Sequence, residues 1–143
     1  MYLVVEFLIP GDAVPWKSPQ VVQRGKFRMA YSPKRMAEQK KEIQRLATQA
    51  MMGRPPSTES VRIYIKIFKK VPKSYSKKKR AMCLENPHLC PATPDVTNVV
   101  KLTEDGMKEI VFYDDKQVVS QRNDRFWSEE AGVNVVVESL AAQ

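Results

Sequence analysis

The stretch Val61 to Phe68, VRIYIKIF, sets Val61, Ile63, Ile65 and Ile67 against Arg62, Tyr64 and Lys66 in strict alternation. A period of two marks a strand with one face buried. The chain before this strand predicts a long helix. Between Ser32 and Met52, the residues Met36, Ile43, Leu46, Ala47, Ala50 and Met51 recur at helical spacing, with Lys34, Lys40, Lys41 and Arg45 opposite. Ser32-Pro33 provides a start for this long helix, and Gly53 before Arg54-Pro55-Pro56 provides a stop.

Further out, Tyr2 to Ile9 (YLVVEFLI) predicts a buried strand closed by Pro10-Gly11. Residues 12–31 break the pattern and predict a loop or irregular hairpin. Downstream, Pro94 to Met107 (PDVTNVVKLTEDGM) predicts a shorter helix with Val96, Val99, Val100 and Met107 on one side. Tyr113 to Lys116 is a turn-like acidic tip, and strands are predicted at Gln117 to Arg122 and Gly132 to Glu138. The expectation is one α+β domain over residues 1–143, a small mixed β-sheet packed with one long and one or two shorter helices.

Charge narrows the partners. The 143 residues hold 24 Lys and Arg against 16 Asp and Glu, a net charge of +8, which favours polyanions. The cations cluster at Lys17, Arg24, Lys26 and Arg28 in the early loop. They cluster again at Lys69, Lys70, Lys73, Lys77, Lys78, Lys79 and Arg80, where Tyr75 sits among them and no acid intervenes. Such a run is either a solvated face or a surface that neutralises phosphates and releases their counterions.

Several classes lose support. No apolar run approaches the roughly 20 residues of a membrane span, and Met1 to Ile9 carries Glu6 without a basic leader, so a cytoplasmic location is expected. Cys83, His88 and Cys90 give three zinc ligands where four are normal. The chain has no G-x-x-x-x-G-K loop, so no nucleotide cofactor is expected. Phe126 and Trp127 are assigned to the core or an interface, whereas Phe27 and Tyr31 flank the basic loop and Phe27 stays unassigned.

Chemistry is concentrated in the carboxylates. Asp95 opens the second helix, and Asp114 and Asp115 open the strand after it, so a packed helix and strand can bring oxygen ligands together for a hard cation such as Mg²⁺. The alternative roles are a helix cap for Asp95 and a surface turn for Asp114 and Asp115. Thr97, Asn98 and Lys101 share a helical face. Lys101 is suited either to stabilising charge on a phosphoryl group or to a salt bridge with Asp105.

PDVTNVVK followed by YDDKQVV closely resembles the RusA-type Holliday junction resolvases, whose pattern is D-x-D-N-x-x-K and then D-D-x-Q-V. The matching positions are Asp95, Asn98 and Lys101, then Asp114, Asp115, Gln117 and Val118, and the order of the earlier elements also fits. The resemblance implies a homodimeric, Mg²⁺-dependent endodeoxyribonuclease of phage or prophage origin. Its substrate would be branched DNA, above all four-way junctions, cut by paired symmetric nicks. It implies Asp95 and Asp115 as metal ligands with Asp114 in support, Lys101 stabilising the transition state, and Asn98 orienting its neighbours. Thr97 departs from the pattern, standing where the family has a second aspartate. A neutral hydroxyl there lowers affinity for a divalent cation. Compensation by Asp114, Glu104 or Asp105, greater activity with Mn²⁺, or a junction-binding dimer that does not cut are the outcomes this opens.

Overall fold

The structure, a computed structural model, describes residues 3–17, 20–24, 27–31, 34–89 and 95–140; for 20–24 and 27–31 it describes the backbone. Lys26, Cys90, Pro94 and the Ser32-Pro33 helix start lie outside these residues, as do the side chains of Arg24, Phe27, Arg28 and Tyr31.

The architecture is α+β. Strands β1 (Val4–Pro10), β4 (Ser60–Lys70), β5 (Val118–Ser128) and β6 (Gly132–Leu140) form one sheet in the order β1-β6-β4-β5. Strand β4 pairs antiparallel with β6 and parallel with β5, so the sheet is mixed. Strands β2 (Gln20–Arg24) and β3 (Phe27–Tyr31) form a separate antiparallel hairpin within the basic loop.

Alternation along β4 places Val61, Ile63, Ile65 and Ile67 fully inside. Val5, Phe7 and Ile9 of β1 and Val133, Val135 and Val137 of β6 join the same core. Helices α1 (Lys34–Met51) and α3 (Val96–Met107) cover that face, packing on each other, with α1 also on β1 and α3 on β5. They cross where Gly106 leaves room for Ile43: a Cβ at position 106 would stand 2.5 Å from Ile43 Cγ2. Helix α1 ends as its sequence predicts, with Gly53 at φ +77°, and Arg54 donates to the last carbonyls, those of Met51 (2.8 Å) and Ala50 (3.1 Å).

Two expectations change. Strand β1 is not buried throughout: Val4, Glu6 and Leu8 face out, because it is an edge strand and both helices lie on the opposite face. Strand β5 runs six residues past Arg122, through Asp124, Arg125, Phe126 and Trp127. Its charges are tolerated because it too is an edge, and Asp124 on it accepts from Tyr64 on β4 (2.8 Å) and from Arg122 (3.0 Å). The basic run is divided: Lys69 and Lys70 end β4, Lys73 lies in the turn, and Lys77 to Arg80 open α2 (Lys77–Glu85), which Ser76 caps. Helix α2 buries no residue of its own, so it had no apolar periodicity to reveal it.

Candidate active site

Helix α3 carries the motif on its outer side. Val99, Val100, Leu102, Thr103, Gly106 and Met107 are buried, which leaves Thr97, Asn98, Lys101, Glu104 and Asp105 along the opposite stripe. Asp95 is the N-cap: its Oδ1 accepts from the backbone N–H of Asn98 at 3.3 Å. The capping role is therefore real, and it engages one carboxylate oxygen of an exposed side chain. Thr97 is exposed in the first turn.

Lys101 turns away from the salt bridge with Asp105 that its spacing allows. Its Nζ stands 3.4 Å from the ring centroid of Trp16. Trp16 in turn donates its backbone N–H to the carbonyl of Asn98 at 2.9 Å, so the strand-exit segment is tied to the opening turn of α3.

The acidic tip is built differently. Asp114 caps a short 3-10 turn (Asp115–Gln117), accepting from Lys116 N–H at 3.0 Å. The Gln117 amide fastens this turn in both directions. Its Oε1 accepts from the N–H groups of Tyr113 (2.7 Å) and Asp114 (2.9 Å), while Nε2 donates to the carbonyls of Ser57 (2.7 Å) and Glu59 (2.8 Å). The glutamine of the motif is thus a clamp between the acidic turn and the loop that leads into β4.

Asp115 receives the Lys108 ammonium at 3.2 Å. That bond, with Asp114 and Asp105 adding to it, holds Lys108 above its ordinary 10.5. Glu104 lies close by: burial first, and then the charges of Asp115 and Asp105, raise its carboxyl above the ordinary 4.5, opposed by a hydrogen bond from Gln121. Asp115 is thus paired with Lys108 just past the C-terminal end of α3, where the charges of Asp105 and Asp114 are also felt. Asp95, Thr97, Asn98 and Lys101 occupy its N-terminal end. At 1.5 Å per residue, Asp95 lies about 20 Å along the axis from Lys108.

Among the described residues, no three His, Cys, Asp or Glu side chains are grouped closely enough to cage a metal ion. The donor chemistry nevertheless suits a hard cation, since Asp95, Asp114 and Asp115 are exposed and each uses only one oxygen in the bonds above. Mg²⁺ takes one or two carboxylates and completes its shell with water and phosphate oxygens.

Of the described cations in the two basic clusters, Lys70, Lys73, Lys77, Lys78 and Lys79 are exposed and Lys69 and Arg80 are half-buried. Lys17 is exposed, its backbone N–H resting on Met36 Sδ. Lys69 lies 5.9 Å from the Trp127 ring and Lys79 4.0 Å from the Tyr75 ring. Arg24 and Arg28 sit on the paired strands of the hairpin. Lys77, Lys78 and Lys79 crowd the first turn of α2, where the helix dipole disfavours positive charge, so helix stability does not account for them. Trp127 is buried against Tyr75, and Phe126 stacks on Phe68 and meets His88 edge-on, in keeping with packing roles. Sequence reading missed Trp16, Lys108 and Gln121. Trp16 and Lys108 touch motif residues, and Gln121 touches Glu104, across gaps that no local spacing encodes.

Comparison with known proteins identifies the family. An uncharacterized protein of Bacillus subtilis (strain 168), YqaN, is 32% identical over 143 aligned residues, covering 96% of this chain and 98% of that protein. Residues 10–138, which span the hairpin, both helices of the core and the acidic turn, match the family described as Endodeoxyribonuclease RusA. With the motif in place on α3 and the turn behind it, the chain belongs to the RusA endodeoxyribonuclease family.

Proposed function

We propose that this protein is a structure-selective endodeoxyribonuclease that resolves four-way DNA junctions, as a homodimer, by divalent-cation-dependent hydrolysis giving paired symmetric nicks. The observation that carries the reading is the outer face of α3. There an exposed capping carboxylate, Asp95, shares one solvent-facing stripe with Lys101, whose ammonium has no carboxylate partner among the described residues.

Asp95 and Asp115 hold the cation, supported by Asp114; Mg²⁺ is the expected ion and Mn²⁺ the substitute. The chemistry supplied when the ion is bound is activation of water and neutralisation of charge at phosphorus. A two-fold dimer with one acidic site per protomer matches the two equivalent scissile positions of a junction. Lys101 stabilises the developing phosphoryl charge. Asn98 orients the opening turn, and the Thr97 hydroxyl serves through water. The basic residues Lys17, Arg24, Lys26, Arg28, Lys69, Lys70, Lys73 and Lys77 to Arg80 hold DNA arms through phosphates, giving affinity that falls with salt. A second reading, a junction-binding dimer that does not cut, is favoured by one observation, the exposed Thr97 in place of a carboxylate.

The test is incubation of a labelled immobile four-way junction and a linear duplex with Mg²⁺, Mn²⁺ or EDTA, using wild type and Asp115→Asn. Paired metal-dependent nicks in the junction alone, lost in the variant, are expected. Tight junction binding without nicks in either metal would support the second reading.

A further inference from the structure

Lys101 and Trp16 are 85 positions apart in sequence, yet the ammonium lies 3.4 Å from the indole centroid. The indole is not a loose surface ring. Val14, two residues earlier, is buried in the core; Trp16 packs against that core and bonds Asn98 through its backbone; Lys17 bonds Met36. The segment from Val14 to Lys17 is thus fixed on both α1 and α3, and its ring is a rigid platform beside a flexible four-carbon side chain.

We propose that Trp16 is the positioning residue for Lys101, holding its ammonium over the first turns of α3 with its positive charge available to a phosphoryl oxygen. The physical reason lies in the kind of partner. A carboxylate such as Asp105 would also fix the lysine, but it would cancel the charge that the reaction needs. A π-face attracts a cation through its quadrupole and carries no net charge, so it orders the ammonium without neutralising it. Ordering matters because a lysine stem has many rotamers, and misplacing a reacting group by about 1 Å can cost on the order of 100-fold in rate. The inference rests on the proposed role of Lys101 and adds the residue that makes that role geometrically defined.

Two measurements test it. The first is single-turnover junction cleavage at saturating enzyme for wild type, Trp16→Phe, Trp16→Leu, Lys101→Met and the Trp16→Leu/Lys101→Met pair. Trp16→Leu is expected to slow cleavage about ten-fold or more, with junction affinity preserved and most of the rate restored by Trp16→Phe. In the Lys101→Met background, Trp16→Leu should add nothing further. The second is NMR of the lysine side-chain methylenes without DNA or metal. One lysine, lost in Lys101→Met, should show ring-current upfield shifts that Trp16→Phe keeps and Trp16→Leu abolishes, which decides the contact even if Trp16→Leu is unstable. Full rate in Trp16→Leu, an equal fall in the Lys101→Met background, or a Lys101 signal without the upfield shift would each overturn the proposal. Lys101→Met cutting like wild type, or wild type failing to cut, overturns the reading of the site itself. Slow Lys101→Met with fast Trp16→Leu overturns only the role of Trp16.

Discussion

Replacing Gln117 by Glu changes one amide nitrogen for an oxygen and leaves the shape intact, so it isolates the donor half of the clamp on the acidic turn. The new carboxylate can still accept from Tyr113 and Asp114. Its second oxygen, however, would face the carbonyls of Ser57 and Glu59, now 2.7 and 2.8 Å from Nε2, with no proton to share. Two hydrogen bonds worth about 1 kcal/mol each disappear, and a carboxylate is set against two carbonyl dipoles in a part-buried position. The expected cost is about 2–3 kcal/mol. For a chain of this length that is a fall of roughly 6–10 °C in Tm. Thermal and urea unfolding measure it. Hydrogen exchange separates the two halves of the clamp: protection at the Tyr113 and Asp114 amides should survive in Gln117→Glu and vanish in Gln117→Ala. Cleavage should fall in both, since the turn carries Asp114 and Asp115. A Gln117→Glu variant melting within about 1 °C of wild type would refute the reasoning.

Asp95→Asn keeps a good N-cap while removing the charge, so it should leave stability within about 0.5 kcal/mol yet abolish cleavage; Asp95→Ala should additionally lose about 1 kcal/mol in urea titration. Gly106→Ala gains about 1 kcal/mol of helix propensity but drives a methyl to within 2.5 Å of Ile43 Cγ2 and 2.8 Å of its Cβ, so a net loss of about 1–2 kcal/mol is expected on unfolding. Lys77→Glu/Lys78→Glu should move two properties in opposite directions. It should raise Tm through the α2 dipole while lowering junction affinity and the salt slope, the slope by about 0.9 for each phosphate no longer neutralised. Glu104 holds its proton more tightly when folded than at the ordinary 4.5, so its charge disfavours the fold above the raised value and that penalty disappears as pH falls below 4.5. Glu104→Gln should therefore raise Tm at pH 7 and give no advantage near pH 4, as a pH series of melts would show.

Periodicity made the core legible. The alternation from Val61 to Ile67 and the helical spacing from Met36 to Met51 depend on neighbours two to four residues away, and the strand residues, with Met36, Ile43, Ala47 and Met51 of the helix, are buried as the pattern requires. Caps were equally local: Asp95 and Gly53 sit at helix ends because their side chain or backbone freedom serves the adjacent turn. Where charge replaced periodicity the reading stopped short. Strand β5 reads as ending at Arg122 because Asp124 and Arg125 break the apolar pattern, and α2 reads only as a lysine run.

By itself, then, the sequence determined the α+β class, the buried faces and the family motif, since each is written in short-range spacing. The tertiary structure decided the company each motif residue keeps. Lys101 rests on Trp16 instead of Asp105, Gln117 reaches back to Ser57 and Glu59, and Asp115 pairs with Lys108. Those pairings join residues brought together by sheet register and helix packing, so only the folded backbone fixes which side chains lie within a hydrogen bond of one another.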